Sequence, residues 1–311
     1  MMVSSIDSSQ HQISFTTLQN AASGKACHKR NLIDPTNQSL HSEFENQEST
    51  IRNDICSVRD NPRSQVLKLG STIGKLCTEI LSRAPLDQNN SYDHESKHTN
   101  IQNSQNNDES SYFWSNPSTS RDAIFSTIAA VFWELLVLAS ICQCDLRKSI
   151  LKKIELNGRK YPVELCKGKS GKYTRYSYYT GITKTDGQST ITSTENMVDD
   201  RNSSYCDNVT DMTSFIRDFA YERKWQSFHT PRNIVLAMIG ELGELAELFQ
   251  WKGDEIIKNE IGACCIIGWT QDEIDNLQQE LADVAIYCLR LADVCGIHDL
   301  GKLSLEYGLN E

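Results

Sequence analysis

The 311 residues are enough for one or two domains, and 31 basic against 41 acidic side chains leave a formal charge of −10. That balance excludes a chain built to grip nucleic-acid backbone without sequence preference; a small phosphate ligand that brings its own cation stays compatible. Eleven cysteines with no C-x-x-C framework, and no N-terminal signal segment, point to a reduced cytosolic setting in which the sequons at Asn202 and Asn208 go unused.

In chain order, residues 1–45 are rich in Ser, Gln, Asn and His without a sustained period, and read as disordered. Residues 46–180 read as a first helical unit, interrupted at about 86–120 by an Asn/Ser/Gln-rich insert. Within it, Ala123 to Cys144 carries one charge, Glu134, over a length that could cross a bilayer or fill the middle of a bundle. Residues 181–212, rich in Ser, Thr, Asn and Asp, read as a linker. In residues 213–311, Ile234, Met238, Leu242, Leu245 and Phe249 recur every three or four positions, and Leu277, Leu281, Val284, Cys288 and Leu291 repeat the pattern. Pro231 opens the first of these helices, where a missing N–H costs little. Two antiparallel helices cannot bury all of these faces, so a four-helix arrangement is implied.

The chain matches itself. A shift of 169 sets Pro62, Arg63, Val66, Leu67, Gly74 and Leu76 on Pro231, Arg232, Val235, Leu236, Gly243 and Leu245. A shift of 153 sets Ala129, Val131, Leu136, Leu138, Ala139 and Cys142 on Ala282, Val284, Leu289, Leu291, Ala292 and Cys295. The apolar stretch 123–144 thereby matches the charged helix 276–297, which makes it a bundle helix and removes the case for a membrane partner.

Four acids stand out in the second copy. Glu241 with Glu244, and Glu280 with Asp283, are i, i+3 pairs, so each pair projects from one face of its helix. A solvated acidic face is the plain reading of any one pair. Two pairs on packed helices offer the hard oxygen ligands that suit Mg²⁺, or Mn²⁺, and through it a phosphate chain. In the first copy these positions hold Thr72, Lys75, Thr127 and Ala130, and Glu247 is matched by Thr78.

From Phe215 to Ala292 the chain resembles the all-α nucleoside triphosphate pyrophosphatases of the MazG-like superfamily, and most of all the dCTP pyrophosphatases. The resemblance runs through R-x-W-x-x-F-H-x-P-R-N (223–233), G-E-x-G-E-L-A-E-L-F-Q-W (240–251) and E-L-x-D-V-x-I-Y (280–287). It implies an all-α fold of two bundle repeats, the first degenerate. It implies a Mg²⁺-dependent hydrolase that splits dCTP and 5-substituted relatives into a monophosphate and pyrophosphate, cleansing the nucleotide pool. By the same resemblance Glu241, Glu244, Glu280 and Asp283 are metal ligands. Glu247 is a further metal ligand, a general base, a water-orienting group or a surface salt bridge. Trp225, His229, Trp251, Tyr287 and Asn233 are substrate contacts, and the protein is a homo-oligomer with a deoxynucleoside triphosphate as its partner. The rival readings are a broader housekeeping pyrophosphatase and a non-catalytic nucleotide-binding or scaffold protein.

The first copy also carries Asn157-Gly158-Arg159-Lys160-Tyr161-Pro162 and, further on, Gly171-Lys172-Tyr173-Thr174, similar to the tail that follows the last helix in that family. The second copy, aligned as far as Glu311 opposite about Gly158, shows no counterpart. Either the first copy lends this tail to the second copy's site, or the tail only packs.

Overall fold

The computed structural model describes residues 12–23, 61–83, 121–169, 206–253, 257–259, 262–264 and 268–310. The polar insert, most of the linker, the remainder of the N-terminal region and the tail beyond Lys169 lie outside them. The described residues are almost all helical, in keeping with the all-α expectation. The exception is a hairpin of three-residue strands, β1 (Ile257–Asn259) and β2 (Gly262–Cys264), antiparallel with Lys258 opposite Ala263.

Helix α1 (Phe15–Ala22) begins at Ser14, whose hydroxyl accepts the Thr17 amide, and it buries Phe15 and Leu18. This corrects the reading of 1–45 as disordered throughout. Two apolar residues one turn apart give too short a period to recognise, and packing rather than propensity holds so short a helix. α2 (Pro62–Arg83) turns Val66, Leu69, Ile73, Leu76 and Ile80 inward. α3 (Arg121–Ile141) is buried nearly all round, Glu134 included, which is the pattern of a helix at the centre of a bundle. By length and composition α3 could also cross a membrane; here α1, α2 and two later helices enclose it.

After α3 come α4 (Leu146–Lys160), capped by Asp145, and the short α5 (Val163–Cys166). α6 (Val209–Glu222) starts at the Asn208 cap, four residues before the helical pattern of the sequence begins. A 3₁₀ turn (Gln226–Phe228) leads to α7 (Pro231–Gln250), with Thr230 capping and Pro231 in the first turn. α8 (Gln271–Val294) opens with a capping box in which Thr270 and Glu273 satisfy each other's backbone amides. α9 (Leu300–Asn310) follows.

α2 packs on α3 and α7 packs on α8; α9 lies on α3 and α4 lies on α8; α1 meets α3 and α6 meets α8. Across the middle, α2 meets α7 and α3 meets α8, and one hydrophobic core runs through all of them. The two central helices end alike. Cys144 N–H bonds Ala139 O and Ile297 N–H bonds Ala292 O, with Gln143 and Gly296 both at positive φ, 54° and 78°.

One close approach makes a stability prediction. A Cβ on Gly308 of α9 would fall within the Trp133 ring, and Trp133 is buried in α3. Overpacking of a filled core costs about 1–3 kcal/mol. Gly308→Ala is therefore expected to lower the unfolding free energy by that amount, and an unchanged urea midpoint would contradict the packing of α9 on α3.

Candidate active site

The i, i+3 spacing does its work where α7 and α8 lie side by side. Carboxylate oxygens of Glu241, Glu280 and Asp283 all fall within 4.8 Å of one another. The fourth acid, Glu244, sits one turn along on the exposed side of α7, and its charge still acts on all three. Glu247, a further turn along, is exposed.

Like charges held this close, partly out of water, raise each other's proton affinity. Burial, then the charges of Asp283, Glu244 and Glu280, push the Glu241 carboxyl up to about 7, against the pull of Lys153. Burial also raises Glu280 and Asp283, again with Lys153 pulling the other way. Tyr287 is raised by burial and by the nearby Glu241 and Asp283, which sets its phenol beside the acids. Glu280 Oε2 is buried without a hydrogen-bond partner. An orphaned carboxylate oxygen among three clustered carboxylates fits a hard divalent cation in both chemistry and donor number.

Sequence reasoning missed one residue at the centre. Lys153 of α4 is buried, and its ammonium lies 2.5 Å from Asp283 Oδ2. A second α4 cation, Lys160, also acts on Glu280 and Asp283. The available signal was the spacing: Lys153 and Lys160 are seven residues apart, two turns along one helix face.

Beside the acids the aromatic residues divide. Trp225 stands edge-on to Tyr161 at 5.4 Å and to Phe219 at 6.1 Å, and lies 6.0 Å from the His229 ring. Its indole N–H donates to the carbonyls of Lys169 (2.9 Å) and Cys166 (3.3 Å), so its polar edge is already engaged. Asn233 donates to Phe228 O at 3.0 Å and closes the turn before α7. Trp251 is not brought to this group. It follows α7, ten residues beyond Glu241 or about 15 Å along the axis, and is 87% exposed. A matching motif block fixes residue type, while the helix end decides where the ring goes. Lys252 pairs with Glu273 at 2.6 Å and lies over Trp269.

His229 belongs to a buried polar chain. Its Nδ1 accepts from Arg290 Nε at 3.0 Å, Arg290 pairs with Asp293, and Asp293 also meets Arg217 at 3.0 Å. Burial and the Arg290 charge hold His229 down to about 4, so the ring is neutral at pH 7. Between pH 6.5 and about 4 the unfolded chain binds a proton here that the folded chain refuses. This contribution to stability is complete above pH 6.5 and disappears as pH falls through the window, worth up to about 3 kcal/mol. Urea midpoints at pH 7 and pH 4.5 are expected to differ less in His229→Gln than in the parent; equal pH slopes would contradict a neutral, Arg290-bonded His229.

Over 80 residues the chain is 51% identical to dCTP pyrophosphatase 1 of Homo sapiens and 50% identical to the proteins of that name from Bos taurus and Mus musculus. The matched stretch is 26% of this chain and 43% of each relative, so the chain spans less than half the length of the curated relatives it matches. No family model matches. A quarter of this chain is thus a region similar to the dCTP pyrophosphatases.

Proposed function

We propose that the protein is a Mg²⁺-dependent nucleoside triphosphate pyrophosphatase, with Mn²⁺ as the alternative ion, that cleaves dCTP and 5-substituted dCTP to the monophosphate and pyrophosphate in the cytosol. The observation that carries the reading is the group Glu241, Glu280 and Asp283, with one carboxylate oxygen buried and unpartnered. The names of the relatives support the substrate. These three acids, with Glu244 at the solvent edge, would hold the cation. When bound, the cation neutralises a triphosphate and activates water for attack at phosphorus. The chain's own groups do the rest. The Glu247 carboxylate, one turn beyond Glu244, orients water at the exposed edge. Tyr287, neutral and beside the acids, donates a hydrogen bond there. His229 presents a neutral ring, fixed by Arg290 on one nitrogen, with Nε2–H left for the edge of a base. Trp225, held edge-on by Tyr161, gives that base a flat apolar wall.

Two repeats, 46–180 and 213–311 joined by a linker over 181–212, account for the packing described above. The α2–α3 and α7–α8 pairings, the α9–α3 and α4–α8 pairings, and the matched ends of α3 and α8 at a shift of 153 all support that reading. The bridge between Ser14 and Asn208, the caps of α1 and α6, extends the likeness beyond those bounds: α1 stands to the first repeat as α6 stands to the second. In the first repeat the acid positions hold Thr72, Lys75, Thr127 and Ala130, while the buried Glu134, matched with Tyr287, pairs with Lys68 at 3.0 Å. The equivalent residues Leu67 and Leu236 are 75% and 66% exposed on α2 and α7, with Ile239 at 43% beside them, and this apolar strip supports association with a second copy.

The test is product release from all common dNTPs and NTPs with Mg²⁺. Pyrophosphate from dCTP ahead of the others by tenfold or more is the expected result. Equal rates across bases would favour a broad housekeeping pyrophosphatase, and saturable binding without any release would favour a nucleotide-binding protein.

A further inference from the structure

The acids of the site sit in the second half of the chain; among the described residues, the cations acting on them come from the first. Lys153 reaches Asp283 from α4, and Lys160, two turns on, acts on Glu280 and Asp283. Lys153 is a buried ammonium, and a cation taken out of water is costly unless something at that place needs it. Asp283 alone is a weak reason for it, because the Ala130 that occupies the matching place in the first copy needs no such pair.

A second set of contacts, independent of the acids, fastens the first half's tail here. Arg223 is 4% exposed and stacks over Phe219 at 3.5 Å, yet its Nε is spent on the Tyr161 carbonyl at 2.9 Å. Its own carbonyl accepts the Gly168 N–H at 2.8 Å. The Trp225 indole holds the Lys169 and Cys166 carbonyls. The second half therefore commits a buried guanidinium and an indole N–H to keep residues 161–169 against the turn that precedes α7. The end of α4 thereby stays beside the acids, with Tyr161 against Trp225.

We propose that the first half, which has no acid at any of the four matching positions, is the phosphate-binding partner of the second: Lys153 and Lys160 of α4 supply the countercharges for the substrate's triphosphate at the Glu241, Glu280 and Asp283 group, and the 161–169 tail holds them there. The inference rests on the reading of that group as a metal and triphosphate site. It assigns the two halves complementary chemistry within one chain. Lys153 has two duties of opposite sign: its ammonium competes with a cation for Asp283, and it attracts phosphate oxygens.

The opposite signs make the test. Binding of Mn²⁺ alone, and of α,β-imido-dCTP with Mg²⁺, is measured on the full chain for the parent, Lys153→Met, Lys153→Arg and Lys160→Met. Lys153→Met is expected to bind Mn²⁺ severalfold more tightly and the analogue at least tenfold more weakly, with Lys153→Arg restoring most of the analogue affinity. Lys160 is exposed, so Lys160→Met keeps its melting temperature; it is expected to weaken the analogue severalfold and to flatten the salt dependence of its binding. Analogue affinities within twofold of the parent in both Met variants would overturn the proposal and leave a tail that only packs. A parent that binds and cleaves dCTP while the variants bind equally well sinks this inference alone. A parent that binds no analogue sinks the functional reading and this inference together.

Discussion

Glu241→Gln is expected to make the protein more stable in EDTA and inactive in Mg²⁺. Glu241 is the acid most disfavoured by its surroundings: it is partly buried and faces the charges of Asp283, Glu244 and Glu280, with Lys153 as the offsetting cation. Its carboxyl is raised from the usual 4.5 to about 7, so at pH 8 keeping it ionised in the folded chain costs on the order of 2–3 kcal/mol. Glutamine keeps the shape and removes the charge. The unfolding free energy from urea denaturation in EDTA should rise by most of that amount. In Mg²⁺ the order should reverse, since the parent gains binding energy that the variant has lost. A variant less stable than the parent in EDTA would show that the acids are held together by unseen compensation. Sites that store repulsion for function commonly give up stability in this way.

The second large effect lies in the polar chain behind His229. Arg290 is 5% exposed, bonds His229 and pairs with Asp293, whereas Arg217, on the other side of Asp293, is 42% exposed. Removing one partner of a buried pair leaves a charge without compensation and costs about 3–5 kcal/mol; breaking an exposed pair costs about 0–1 kcal/mol. Arg217 still reaches Asp293 in Arg290→Met, which places the expected loss near 3 kcal/mol, against under about 1 kcal/mol for Arg217→Met. Chemical denaturation of the two variants checks this. Arg290→Met should also free His229 to titrate nearer its ordinary value of 6.5, visible in the imidazole proton resonances. Equal destabilisation by the two substitutions would contradict the buried chain.

The parts of this architecture legible in the sequence are those set by local spacing. The two E-x-x-(E/D) pairs project from single helix faces because three residues are close to one turn, and the packing of α7 on α8 brings Glu241, Glu280 and Asp283 together. The character of α3 could also be read: apolar residues on every side, Glu134 as the one acid beyond its first turn, and a charged counterpart at a shift of 153. What could not be read depends on contacts between residues far apart in sequence. Lys153 meets Asp283 from 130 positions away, and nothing near Lys153 marks it as buried. Nothing near Trp225 in the sequence shows that its N–H is taken by the carbonyls of Cys166 and Lys169, which leaves only its ring face for a base. Trp251 sits in a matching motif block, yet it falls just past the end of α7, in solvent. α1 was invisible because its burial comes from α3 and α9, not from its own eight residues.

The measurement that bears most directly on the central claim is release of dCMP and pyrophosphate from dCTP, in Mg²⁺ and in EDTA, by the parent and by Glu241→Gln at equal concentrations of folded protein. Cleavage by the parent in Mg²⁺, none in EDTA, and a loss of at least a thousandfold in the variant are expected, even though the variant unfolds at higher urea in EDTA. Full turnover by Glu241→Gln, or turnover by the parent that ignores EDTA, would contradict a divalent-metal centre on α7 and α8.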